Sequence, residues 1–368
     1  MSDPECLVSS YTEWQPLEEV IIGHVFQIRT PVFDRSFQLF FSDNFHDGYF
    51  FSDPEFDLPN RFVEEGQEDL EEFSQILSDF GIKVRRPTNI FDGPTLFSTP
   101  YGWKGYASPA LNVRDQCLIY GNTILETPPL VRTRFYENDQ LKPLFYEYLK
   151  SGANWISAPR PIMTDNSFDD SYVRRTSPKN AGEAVSTVHD IGVEMMIDGA
   201  QCMRLGKDII INVANKNHEL GFKWLKRNLP DVRFHKICIA DSHIDGRLVP
   251  LAPGKLLVDG RRIPSNDMLP PLLQTWDVIR VTEQELSKEA YQYEDISLAS
   301  IAIDINVLSL DEKHVVVNKA ATRMIKLLEK NGMIPVPVRF RHGRVLGGAF
   351  HCVTLDVRRR GDCEDYFT

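Results

Sequence analysis

Near the C-terminus the chain reads Leu346-Gly347-Gly348-Ala349-Phe350-His351-Cys352-Val353-Thr354-Leu355-Asp356-Val357-Arg358-Arg359-Arg360-Gly361. Two adjacent glycines let a backbone approach another group closely or take a positive φ. A cysteine just after such a turn can be held at a strand end, open to a cleft, where nearby cations would make it a nucleophile. A single cysteine is more often a small buried hydrophobe, so Cys352 needs partners elsewhere in the chain. Three acids are candidates: Asp115, Asp198 and Asp245 stand six to nine residues before the turn glycines Gly121, Gly206 and Gly254, and His243 lies two residues before Asp245. Carboxylates in apolar strands are costly to bury unless they meet a cation or are used. A thiolate nucleophile needs a proton-transfer partner, for which His243 is suited, and one carboxylate would orient the imidazole. Two further acids exceed what a Cys–His pair requires. They make sense for a cationic substrate, and a planar guanidinium pairs with two carboxylates best. Taken singly, each aspartate could equally serve a turn or cap, and His243 could be structural. His351 adjoins Cys352, and strand neighbours point to opposite faces, so His351 is expected to pack away from the thiol. His189 and His218 have no partners at metal spacing. Arg358–Arg360 reads as a terminal salt-bridge cluster.

A repeat would bring these residues together. Residues 110–120 and 123–127, 193–205 and 209–213, 243–251 and 256–259, and 305–310 and 315–318 each read as strand, turn, strand. All but the third are followed by a helical pattern and a further strand, as in 221–228 before 232–239 and 320–331 before 334–340. A fifth copy could join the N-terminal strand Leu17–Gly23 to the segment around Cys352. Self-similarity on this scale suggests a radial array whose equivalent positions converge on an axis; an α+β protein with ordinary hairpins is the alternative. Before the first copy, Pro59–Phe80 has helical spacing and ends at Gly81, a strand follows at 82–86, and 31–60 reads as an irregular loop anchored by aromatics.

The 368 residues are 42% apolar and 25% charged, ample for a core. A net charge of -11 argues against nucleic-acid or anionic-membrane partners. The six cysteines are scattered without a C-x-x-C pair, which fits a reducing, cytoplasmic setting. Asp3, Glu5 and Glu13 interrupt the start of the chain, so a signal peptide is not expected there. No apolar run approaches the ~18 residues of a membrane span.

The run Gly347-Gly348-x-Phe350-His351-Cys352-x-Thr354-x-Asp356-Val357-Arg358-Arg359-Arg360-Gly361 closely resembles the arginine amidinotransferases, as do His243-Ile244-Asp245 and Glu13-Trp14-x-Pro16-Leu17-Glu18-Glu19-Val20-Ile21-Ile22-Gly23. That family includes glycine, inosamine-phosphate and lysine-using amidinotransferases. The resemblance spans nearly the whole chain and implies a single domain over 1–368, an α/β propeller of five pseudo-symmetric ββαβ modules. By motif, Cys352 resembles the nucleophile, His243 the acid/base and Asp198 its orienting carboxylate. Asp115 and Asp245 match the guanidinium binders, and Arg262 and Ser300 the residues that hold the substrate α-carboxylate. The resemblance implies arginine and an acceptor amine as substrates, no metal or cofactor, and a homodimer. Two departures stand out. Ile197-Asp198-Gly199-Ala200-Gln201 replaces Phe-Asp-Ala-Ala-Asp or -Asn, and Ser242 stands where the glycine-using relative has Met. The smaller Ser242 would admit an acceptor larger than glycine, with lysine ahead of glycine and an inosamine phosphate less favoured. The lack of a mitochondrial leader fits a bacterial pathway enzyme. A guanidine hydrolase and a non-catalytic guanidine-binding module are the alternatives.

Overall fold

Five three-stranded sheets share one connectivity in the computed structural model, which describes residues 6–30, 34–40, 57–176, 183–286 and 298–367. In each, the first strand runs antiparallel to the central strand, and the third returns parallel to it. The first four sheets are Cys117–Tyr120, Thr123–Glu126 and Asn154–Ser157; Cys202–Leu205, Asp208–Asn212 and Arg233–Ile237; Leu248–Ala252, Lys255–Asp259 and Asp277–Val281; and Leu308–Ser309, His314–Asn318 and Ile334–Val338. The fifth joins the chain's two ends, with Thr354–Arg359 against Leu17–Ile22 and Lys83–Arg85 beyond, in the register Val20 to Asp356 and Ile22 to Thr354. This is the five-module α/β propeller that the resemblance implies.

The hairpin turns explain why the repeat is readable. Gly121, Gly206 and Gly254 sit at φ of 58°, 69° and 75°, the left-handed region open to glycine. The fourth turn has no glycine. There the Asp311 carboxylate accepts the backbone N–H groups of Lys313 and His314 at 2.7 and 2.8 Å and closes the turn itself. Helices Asn60–Asp79, Lys142–Lys150, Lys216–Asn228 and Thr322–Lys330 make four of the crossovers. The third crossover is two short 3-10 turns around Pro270 and Pro271, which cannot donate to an α-helical ladder. Helix Asn60–Asp79 buries Phe62, Val63, Leu70, Phe73 and Leu77 and stops before Gly81, whose φ is 78°.

Three expectations need correction. The first strands are shorter than their apolar runs: they begin at Cys117, Cys202, Leu248 and Leu308, and the residues before them fold as turns. Asp115 and Asp245 therefore lie in turns ahead of the strands and Asp198 caps the 3-10 turn Gly199–Gln201, with local backbone bonds such as Asp115 N to Asn112 O and Arg247 N to Ile244 O in place of the ladder. Within 31–60, Arg35–Phe40 is a short helix; residues 31–33 and 41–56 lie outside the described residues. The arginine run divides. Arg358 and Arg360 reach Glu18 at the surface, whereas Arg359 is 1% exposed and turns inward.

Arg359 joins an ion network at the centre of the molecule. Its Nε lies 2.7 Å from Asp356 Oδ2, and Arg114 and Arg204 reach the same carboxylate. Arg204 and Arg114 also reach Glu13, at 2.9 and 3.4 Å. Three guanidinium groups and two carboxylates from three modules and the N-terminal segment thus compensate one another away from water. Both carboxylates are held well below their usual range: burial opposes this, and the arginines, with His351 beside Glu13, outweigh it. No helix among the described residues is long and apolar enough to cross a membrane.

Candidate active site

Each module places one polar residue two to four positions before its first strand: Asp115, Asp198, Asp245, Asn306 and Cys352. Sequence reasoning found four of the five. Asn306 was missed because it is an amide where three copies carry acids, although its place before the fourth hairpin was the available signal. The Cys352 thiol donates to Asp245 Oδ2 at 3.1 Å, and Asn306 Nδ2 donates to its sulfur at 3.2 Å. Asn306 Oδ1 accepts the backbone N–H groups of Ala349 and Cys352 at 3.2 and 3.0 Å, so one amide holds both the loop and the sulfur. A Cβ on Gly348 would lie 2.3 Å from Asn112 Oδ1 and 2.7 Å from Cys352 Cβ, which is why the loop needs glycine there.

His243 Nε2 lies 2.7 Å from Asp198 Oδ2, and its Nδ1 faces Asp115 Oδ1 at 3.7 Å. Asp198 is set by Gln201, whose Oε1 accepts the Asp198 N–H at 2.9 Å while its Nε2 donates to Asn212 O at 2.7 Å. The departure at Gln201 is thus a working support for that carboxylate. Phe40 presents its ring to the imidazole edge at 4.7 Å, and Ser242 Oγ donates to Phe40 O.

Asp115, Asp245 and Cys352 each bring a ligand atom to within 4.8 Å of the others, a seat for one compact cation. Next to it lies a cavity of about 120 Å³ whose walls include His243, Asp245, Asn306, Cys352, Ser300 and Arg247. Ser300 lines this cavity. Arg262 follows the strand Lys255–Asp259 and is not among the lining residues, whereas Arg247, whose NH1 pairs with Asp259 at 2.9 Å, is. A second cavity of about 90 Å³ lies beyond Phe40, Leu298 and Gly347, and Asp115, Arg134 and Glu137 line it.

His351 also requires correction. It lies in the turn before the strand, not within it, and shares Asp245 with the thiol: its Nδ1 is 3.0 Å from Asp245 Oδ2. Strand alternation does not apply to a turn.

The electrostatics favour a cationic guest. Burial, Asp245 and Asp115 push the Cys352 thiol well above its ordinary pKa, against the pull of Asn306. Burial alone would lower His243, but Asp115, Asp198 and Asp245 together raise it to about 9. Asp245 is brought down to about 2: burial opposes this, while His351, His243 and the thiol hydrogen bond favour the anion. Burial raises Asp115 despite His243 and Arg134. At neutral pH the site holds a protonated thiol beside an imidazolium and the ionised Asp245. A cation entering among them would lower the thiol's pKa, and the imidazolium can protonate a leaving amine.

A thiol, an imidazole and three carboxylates meet where the five modules come together, a grouping suited to a cationic substrate. No protein-family model matches the chain. It is 34% identical over 366 residues to an L-arginine:L-lysine amidinotransferase from Pseudomonas savastanoi pv. phaseolicola, covering 98% of this chain and 96% of that protein. It is 32% identical over 375 residues to a mitochondrial glycine amidinotransferase from Xenopus tropicalis, covering 99% and 86%. The solved structure of an inosamine-phosphate amidinotransferase from Streptomyces griseus matches with a TM-score of 0.84 at 34% identity, covering 99% of this chain and all of that one. The chain belongs to the amidinotransferase family, and its activity is amidino transfer.

Proposed function

We propose that the enzyme moves the amidino group of arginine to an acceptor amine through a covalent intermediate on Cys352. The observation that carries this reading is the convergence of the Cys352 thiol with Asp115 and Asp245 on one small seat, with His243 facing Asp115 beside it. Asp115 and Asp245 bind the guanidinium; its charge offsets theirs, and the thiol proton is released to solvent as the substrate binds. The thiolate attacks the guanidino carbon and a C–S bond forms. The Cζ–Nε bond breaks, its electron pair stays on nitrogen, and the His243 imidazolium, held by Asp198, donates the proton with which ornithine departs. A cationic amidino-thioester remains. The acceptor amine attacks it and neutral His243 takes the amine's proton. The C–S pair returns to sulfur, which regains a proton from solvent. Proton transfer activates the leaving group, so the reading uses no metal or cofactor. Ser300 is assigned to the substrate carboxylate, with Arg262 assigned the same task by motif.

The acceptor in this reading is an amino-acid amine, lysine before glycine. Ser242 is small, and Asp241 in the same wall suits an acceptor with a second ammonium. An inosamine phosphate would need cations for its phosphate, and Arg247 in this wall already pairs with Asp259. The test is mass spectrometry of acid-quenched enzyme after brief exposure to arginine alone. An amidino adduct on the Cys352 peptide, absent in Cys352→Ala and discharged by one amine of a panel, is expected. Steady citrulline without an adduct would make the enzyme a hydrolase. Bound arginine with neither adduct nor product would leave only a binding module.

A further inference from the structure

The two carboxylates that flank the thiol are each backed by a basic side chain, and each of these by a second carboxylate. Asp115 Oδ2 accepts from Arg134 NH1 at 2.6 Å, and the same guanidinium holds Glu137 through two bonds of 2.6 Å. Asp245 Oδ2 faces His351 Nδ1 at 3.0 Å, and His351 Nε2 faces Glu13 Oε2 at 3.3 Å. The four carboxylates and His351 are buried, and the Arg134 side chain is 13% exposed. Asp115 Oδ1 has no hydrogen-bond partner among the described residues.

We propose that Arg134 and His351 are positioning residues for guanidinium binding, each engaging one oxygen of its carboxylate so that the other oxygen serves the substrate. This rests on the guanidino substrate assigned above. A basic group placed between the two carboxylates would fill the substrate's seat. A hydrogen-bonding partner behind each favours its anion and leaves the seat open. Glu137 and Glu13 hold those partners on the outer side.

The proposal separates binding from chemistry. His351→Gln and Arg134→Lys should raise the arginine concentration for half-maximal adduct formation by about tenfold, the scale of one lost charged hydrogen bond. The saturating rate should change by less than about threefold, because neither residue touches the reacting atoms. A simple alkylguanidine without the amino-acid tail should show the same proportional loss, since the affected contact is the guanidinium. The final adduct yield measures the fraction of folded, competent enzyme, and if Arg134→Lys does not fold, His351→Gln carries the test. Half-saturation within about twofold of wild type, a rate loss without a binding loss, or a loss confined to arginine would each overturn the proposal. Wild-type enzyme that forms no adduct would overturn the parent reading with it.

Discussion

Asn306 Nδ2 stands 3.2 Å from the Cys352 sulfur while its Oδ1 accepts the Cys352 backbone N–H at 3.0 Å. Asn306 donates to the sulfur, whereas the Asp245 and Asp115 carboxylates oppose a thiolate. Asn306→Ala should slow adduct formation by about 10²-fold, the usual loss for a preorganised donor at a developing charge. Asn306→Asp should be slower still, because it adds a carboxylate beside the sulfur. Rapid-quench mass spectrometry measures both, and an unchanged rate in Asn306→Asp would remove Asn306 from the mechanism.

His243→Gln should lower the adduct rate with arginine by about 10²–10⁴-fold, the range for loss of a general acid. The loss should shrink with a guanidine whose leaving amine is a weak base, since such a group departs without a proton. An equal loss for both substrates would assign His243 to binding.

The pH dependence follows from His243 at about 9. The first half-reaction needs the imidazolium, so adduct formation should fall as pH rises through about 9. Asp198→Asn removes one of the charges that raise this pKa and should move that limb to lower pH. The same shift sets a stability term. Because the folded pKa lies above the unfolded value of about 6.5, the stabilisation is complete below that value and is lost as pH rises through about 9. Asp245 has the opposite sign. Its contribution is present above the unfolded carboxylate range of about 4 and is lost as pH falls toward about 2. Single-turnover rates and denaturant melts across pH test these limbs, and an Asp198→Asn limb at the wild-type position would refute the assignment.

The arginine run supplies a stability contrast. Arg359→Ala leaves Asp356 short of a partner in the buried network and should cost about 3–5 kcal/mol in chemical denaturation. Arg358→Ala loses a partly exposed pair with Glu18 and should cost about 1 kcal/mol or less. Similar costs for the two neighbours would mean that the central network is more hydrated than its burial indicates.

Much of the architecture was legible in the chain. Turn glycines between apolar runs marked three hairpins. The 60–79 helix showed its buried face and its glycine stop. The crossover around Pro270 and Pro271 failed to look helical because it is not. Cys352, His243, Asp198, Asp115 and Asp245 could be picked out as candidates because a thiol, an imidazole and carboxylates at recurring places before the hairpins are distinctive residue types. The strand starts were not legible. A short apolar run looks the same whether its first half pairs in a ladder or folds as a turn over the axis, and only the neighbouring modules select the turn.

Residue types and their repetition therefore determined the modules and the kind of chemistry. Tertiary structure decided which groups share an oxygen. His351 meets Glu13 across 338 residues of chain and Asp245 across 106, and Arg359 enters the core while Arg358 and Arg360 remain near the surface. The reason is physical. Periodicity reports which face of an element is apolar, but the state of a buried charge depends on partners brought close in space, and those come from other modules.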